Sequence, residues 1–226
     1  MSILPALKYL ACAAFMGVTA LPATGETFAV KLGATTLGTL EYASDGGSAR
    51  LVSQLNNTPL GVFNGSFTGT SKTISGAREF VGVSKSSRKD RTVTVQIADG
   101  RAMMTKVMPE DELTALSNPA KVPAGVVDPV VGVGLLASAR SGCPDTVTIY
   151  DGRRVIALSP AGSALEGQVL TCEFAYRVIA GPGHLSPLKI SSAKMQLVYA
   201  TGAGPQDLRR ISLKSGIFAV VLDRTD

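Results

Sequence analysis

The stretch CPDTVTIYDGRRVIALS, residues 143–159, decides how this chain is read. It holds a cysteine, an alternating run from Val147 to Tyr150, an Asp-Gly pair at 151–152 and the doublet Arg153-Arg154. A strand, a two-residue turn and a second strand make an antiparallel hairpin. Asp151 then has a turn to make before it has any chemistry to do. Arg153 and Arg154 point to opposite faces if the second strand starts with them, so at most one faces a cavity.

The same period of two recurs on both sides of this stretch. It runs through TFAVKLGATTLGTLEYA (27–43), RTVTVQIAD (91–99), QVLTCEFAYRVIAG (168–181), AKMQLVYA (193–200) and RRISLKSGIFAVVLD (209–223). Valine, isoleucine, threonine and tyrosine fill these runs, as strands prefer. Alternation buries one face and wets the other, which predicts antiparallel pairing. Asp45-Gly46, Asp99-Gly100 and Asp151-Gly152 fall between runs and suit tight turns with both central residues at positive φ. The predicted fold is mainly β, with about nine to eleven strands counted by these runs. They form a single curved antiparallel sheet or half-open barrel, because a flat meander leaves long edges.

Two segments break the rhythm. PEDELTALSNP, 109–119, reads as one or two helical turns, with Glu110, Asp111 and Glu112 serving the helix dipole. DPVVGVGLLASARSG, 128–142, reads as a helix capped by Asp128, begun by Pro129 and closed by Arg140 and Gly142. Its apolar residues wrap most of its circumference, so it should be buried against the concave face of the sheet. Gly132 and Gly134 weaken it alone and permit close packing.

The N-terminus reads as a secretory leader. Lys8 precedes an apolar run, Tyr9 to Ala23, too short and too broken by Pro22 to span a bilayer. Small residues at Ala23-Thr24-Gly25 place the cut after Gly25. This gives a leader at 1–25 and one β-rich domain at 26–226, exported to the periplasm and soluble rather than transmembrane. Loss of Lys8 lowers the formal charge from +5 to +4. That excess could favour anionic lipid and is too scattered to argue for nucleic acid. Cys12 leaves with the leader, and the remaining Cys143 and Cys172 are expected to form one disulfide. A redox pair would show Cys-x-x-Cys spacing, which is absent.

No catalytic constellation emerges. His184 is the only histidine and lies in the glycine- and proline-rich AGPGHLSP. One histidine and two bridged cysteines cannot build a zinc site of usual composition. No Gly-x-Ser-x-Gly elbow is present. Gly132-Val133-Gly134-Leu135-Leu136-Ala137 matches a dinucleotide fingerprint only in letters, since no βαβ unit surrounds it. With no tryptophan and 5% aromatics, a sugar-stacking groove is disfavoured. The sequence implies no metal and no cofactor. SKSSRKDR, 84–91, reads as a basic hairpin tip, which makes Arg88, Lys89 and Arg91 expected contacts for a headgroup or partner.

One resemblance gathers these residues. Asp128-Pro129, Cys143, the Val147–Tyr150 strand, Asp151-Gly152-Arg153-Arg154, Cys172, Tyr176 and Ile179-Ala180-Gly181 together resemble the bacterial exported proteins grouped as domain of unknown function 3108. The opening FAVKLGATTLGTLEY is similar to that family's first strands. This chain departs from the family at Pro182-Gly183-His184, where an aromatic often follows. The resemblance implies a periplasmic domain without established activity. It also implies a lipoprotein-carrier-like or β-spiral sheet.

The functional expectation is a non-enzymatic periplasmic envelope protein that binds an apolar lipid chain, a lipoprotein or an envelope partner. Its expected contacts are Val130, Val133 and Leu136 on the buried helix, with Arg153 or Arg154. The alternatives are a structural module that recognises a protein through a sheet edge or the basic tip, and an envelope hydrolase using scattered carboxylates.

Overall fold

The computed structural model describes residues 24–57, 64–87, 89–139, 141–184, 189–202 and 204–225. The apolar part of the predicted leader, and with it Cys12, lies outside them, as do Arg88 and Arg140. Thr24 and Gly25, on the leader side of the predicted cut, already pair with Ser44 and Ala43.

Thirteen strands make one antiparallel sheet. They are β1 (Thr24–Leu32), β2 (Thr35–Ser44), β3 (Ser48–Leu55), β4 (Gly65–Ile74), β5 (Ala77–Ser86), β6 (Asp90–Ala98) and β7 (Arg101–Met108), then β8 (Val147–Tyr150), β9 (Val155–Glu166), β10 (Val169–Ala180), β11 (Ser192–Ala200), β12 (Asp207–Ser215) and β13 (Phe218–Arg224). Their spatial order is β7-β6-β5-β4-β3-β2-β1-β13-β12-β11-β10-β9-β8. Two meanders are thus joined where the first strand pairs with the last. The expected mainly β, curved antiparallel architecture is present, with more strands than the alternating runs announced. β3, β5 and β7 adjoin the turns expected at 45–46, 84–91 and 99–100 without showing a clear alternating run of their own, and β4 has no sequence signal. GSFTGTSKTI and RAMMTKVM carry too little apolar contrast for the period to show.

The turns are more varied than the Asp-Gly pairs implied. Only Asp99-Gly100 has both central residues at positive φ, and Ser75-Gly76 does the same without an aspartate. At Asp45 and Asp151 only the following glycine is at positive φ. There the aspartate carboxylate accepts backbone N–H groups instead, from Gly47 and Ser48 and from Arg153 and Arg154.

Helix α1 (Pro129–Ala137) crosses the interior. Asp128 caps it as expected, accepting from the Val130 and Val131 N–H groups at 2.9 and 3.0 Å. Its other oxygen accepts from the buried Ser71 hydroxyl at 2.7 Å, which ties the helix start to β4. The helix ends at Ala137, short of the expected Arg140 and Gly142, because Ser138 N–H and hydroxyl both turn back onto the Gly134 carbonyl. Both helix glycines sit at points of contact with the sheet. A Cβ on Gly132 would lie 2.7 Å from Ile149 of β8, and one on Gly134 would lie 2.3 Å from the Tyr42 hydroxyl of β2. The helix therefore touches opposite parts of the wall. Val130 packs with Val95, Val126 and Tyr150, while Leu136 packs with Phe174, Leu197 and Tyr199.

The sheet is not closed by a ladder between β7 and β8. Residues 109–128 form a strap across the gap, with three short 3-10 turns at Glu110–Glu112, Ala115–Ser117 and Pro119–Lys121 in place of the one or two helical turns expected. Val127 pairs in parallel with Ile149, and the N–H groups of Gly125 and Val126 donate to the Gly100 carbonyl. Tyr150 completes the closure from β8. Its buried hydroxyl donates to the Leu116 carbonyl at 2.5 Å and accepts from Thr105 of β7 at 2.9 Å.

Cys143 and Cys172 form the expected disulfide, with Cα atoms 5.6 Å apart. It fastens the chain leaving α1 to β10, two strands in from the β8 edge of the sheet. Its reduction should lower stability by about 3 to 4 kcal/mol in the chain-entropy model. Urea titrations with and without reductant should show the midpoint falling. Alkylation of the folded, unreduced protein should label neither Cys143 nor Cys172; modification of either would show the bond is not formed.

Candidate functional site

The polar side chains with most to explain gather where the strap meets the β8–β9 turn. The backbone geometry comes first. Asp151 Oδ1 accepts the Arg153 and Arg154 N–H groups, both at 2.9 Å, which bends residues 151–154 into a turn before β9 begins. The two arginines therefore belong to the turn rather than to the strand, and simple alternation does not govern them. Ser117 donates to the Gly152 carbonyl and Thr114 to the Arg153 carbonyl, so the strap grips this turn at 3.0 and 2.8 Å.

Arg153 turns toward the strap. Its Nε donates to the Glu112 carbonyl at 2.7 Å and its Nη2 lies 2.9 Å from Glu112 Oε2. The same carboxylate takes Arg91 at 2.6 Å and Lys89 at 2.5 Å, and Lys89 also reaches Asp111 at 2.7 Å. Glu112 is only 12% exposed. Burial alone would push its carboxyl up. The hydrogen bond from Lys89 and the charges of Arg91 and Arg153 outweigh that and hold it below the usual carboxylate range. The basic tip expected to offer Lys89 and Arg91 to a partner is thus consumed by the acids of the strap, because strap and tip meet across the seam. The acid triplet and the basic octad, about twenty residues apart and opposite in sign, were the sequence signal for this pairing.

Arg154 turns the other way and is 7% exposed. Its Nε stands 2.9 Å from Asp151 Oδ2, close enough for an ion pair but out of line for a hydrogen bond. Nη1 is buried without a hydrogen-bond partner, as is Nε2 of His184. His184 and Tyr176 pack ring against ring, with centroids 5.9 Å apart. Burial, then the nearby Arg154 charge, lowers His184 to about 4, against a smaller opposing pull from Asp151. Burial raises Tyr176. The imidazole is neutral at pH 7 and the phenol keeps its proton. Gly181 roofs this cluster at φ +88°, and a Cβ there would lie 2.5 Å from the Arg153 carbonyl oxygen. Only glycine fits that approach.

The expected helix contacts lie elsewhere. Val130 and Leu136 are buried in the two core clusters and Val133 packs against one of them, so all three are used in holding the sheet. Helix α1 fills the concave face. Among the described residues no group of three His, Cys, Asp or Glu side chains is placed to hold a metal ion. The carboxylates whose titration is displaced, Asp111, Glu112 and Asp223, are all displaced downward by neighbouring cations. A carboxylic general acid at neutral pH needs the opposite displacement.

Comparison with known proteins adds little. No family model matches the chain, and no curated protein matches it. Among solved structures it is similar to the crystal structure of a beta-barrel-like protein of domain of unknown function DUF1849 from Brucella abortus. The two are 12% identical, with 90% of this chain and 96% of that one covered and a TM-score of 0.49.

Two measurements follow from the geometry. Glu112→Gln should cost about 2 kcal/mol at pH 7, since it leaves three cations around an uncharged amide. A depressed carboxyl contributes above its unfolded pKa and ceases to as pH falls through its folded pKa. The variant and parent unfolding curves should therefore converge in acid; a constant gap would refute the charge account. His184 runs with the opposite chemistry. A buried neutral histidine favours unfolding once the unfolded chain takes up a proton, so stability should fall from about pH 6.5 down to about 4. His184→Asn should flatten that part of the profile, and an unchanged slope would show that His184 does not cause it.

Proposed function

We propose that this chain is a non-enzymatic periplasmic envelope protein that recognises an extended segment of an envelope partner through the free edge of β9. The observation that carries this reading is the mismatch between β8 and β9. β8 covers β9 only at residues 155–158, and Pro160 to Glu166 are exposed along their whole length. The outward backbone groups of such an edge can accept another strand. Natural edges are usually blunted by charge or proline. Here Pro160 guards the start, Glu166 is the one charged residue of the stretch, and Gly162 to Leu165 are small or apolar. Leu165 is 65% exposed.

The version of the reading that holds an apolar lipid chain inside requires an open concave face, and α1 takes that space. The hydrolase version finds no carboxylate with a raised pKa to work with among those displaced. Export is supported by the apolar N-terminal run and the single disulfide. A photo-crosslinking residue at Ala164 should trap one discrete partner in cells. Leu165→Lys should reduce that yield at least fivefold while the melting temperature stays unchanged. An undiminished yield would remove the edge from the mechanism.

A further inference from the structure

The outer face of β10, β11 and β12 carries a charge arrangement unlike that of its neighbours. On β12 and β13, Arg209, Arg210 and Arg224 each meet an acid: Arg210 reaches Asp223 and Arg209 and Arg224 reach Asp207. Further along β12 and on β11 and β10 the pattern fails. Lys194 of β11 stands directly opposite Lys214 of β12 in the ladder. Arg177 of β10 lies on the same outward face, since its neighbour two positions back, Ala175, pairs with Lys194. None of the three enters an ion pair among the described residues, and like charges placed opposite one another weaken a sheet. They line an open groove of about 810 Å³ that holds one acid, Glu173.

The groove ends on an apolar point. Ser215 and Gly216 complete its lining, and the next residue, Ile217, is 91% exposed. Gly216 has φ +57° and Ile217 follows it in a two-residue hairpin loop between β12 and β13, so the isoleucine is carried at the tip of a tight turn. Ile179, two residues beyond Arg177 on the same face, is 54% exposed. One protruding isoleucine with a second exposed on β10 is too little apolar surface for the core of a protein interface. An apolar tip flanked by basic side chains is what an interfacial lipid contact needs. The tip enters the headgroup boundary, and the long cationic side chains reach phosphates above it.

We propose that this end of the sheet docks on an anionic lipid surface, with Ile217 inserted at the headgroup level and Arg177, Lys194 and Lys214 on lipid phosphates. This goes beyond the edge-recognition reading, because it sets which way the protein faces and uses different residues.

The chain has no tryptophan, so I217W supplies a single reporter. Its emission should shift to the blue with phosphatidylcholine vesicles containing phosphatidylglycerol and stay put with phosphatidylcholine alone. In co-sedimentation, neutralising a cation should lower partitioning about fivefold, so Lys194→Gln/Lys214→Gln should lose about 25-fold. Ile217→Ser should lose about tenfold. Binding by the parent should weaken steeply with added salt. All three positions are exposed, and unchanged melting temperatures confirm that the variants fold. The apolar run at 9–23 is common to parent and variants, so differences between them read the groove. Equal binding to neutral vesicles, or variants that sediment like the parent, would overturn the proposal. So would a tryptophan shift produced by inorganic phosphate or a poly-glutamate peptide and not by vesicles. L165K leaves this surface intact and should bind vesicles as the parent does, which separates the two proposals.

Discussion

A sheet whose last strands do not pair must satisfy two open edges by other means, and the rest of this structure follows from how that is done. The closure rests on Tyr150. Its hydroxyl joins Thr105 on one side of the gap to the Leu116 carbonyl of the strap, and its ring is fully buried between them. A strand pair would have used a row of backbone bonds; here one phenol and a strap of three tight turns do the same work. That choice leaves polar groups concentrated at the seam, where Glu112 gathers three cations and Arg154 sits beside His184. Burying so many charges is tolerable because nearly all are paired, and the unpaired atoms of Arg154 and His184 are the exception.

The helix solves a second problem. A curled sheet of this size encloses more volume than its own side chains fill, and α1 supplies the missing atoms. Its sequence is almost featureless in amphipathic terms, apolar on most sides, because it meets wall on most sides. The glycines mark where it comes nearest to that wall, on β8 and on β2. The interior is consequently a packed core, and the surfaces left open to solvent are the outer face and edges of the sheet.

The parts legible in the sequence are those specified locally. The strand before Asp151, the cap at Asp128, Pro129 at the helix start and the bridging of Cys143 to Cys172 all rest on neighbouring residues or on a cysteine count. β4, rich in glycine, serine and threonine, shows no alternation because its buried positions are Gly69 and Ser71. The seam was illegible for a different reason. Thr105 and Tyr150 lie 45 residues apart, and nothing in either segment names the other. Arg153 and Arg154 were read as strand residues on opposite faces. The carboxylate of Asp151 kept them in the turn, so both were sequestered, one by Glu112 and one beside His184.

The pairing of β1 with β13 has a consequence in time. Phe28 faces Arg224 and Leu32 faces Val220, so the ladder joining the two meanders spans almost the whole described chain. Each meander can grow by short hairpin steps, but their union waits for β13. Until then β1 and β12 both present a free side on which a wrong partner strand can pair. Chain order and assembly order therefore run out of step, and β1 is among the last of the described strands to gain both neighbours.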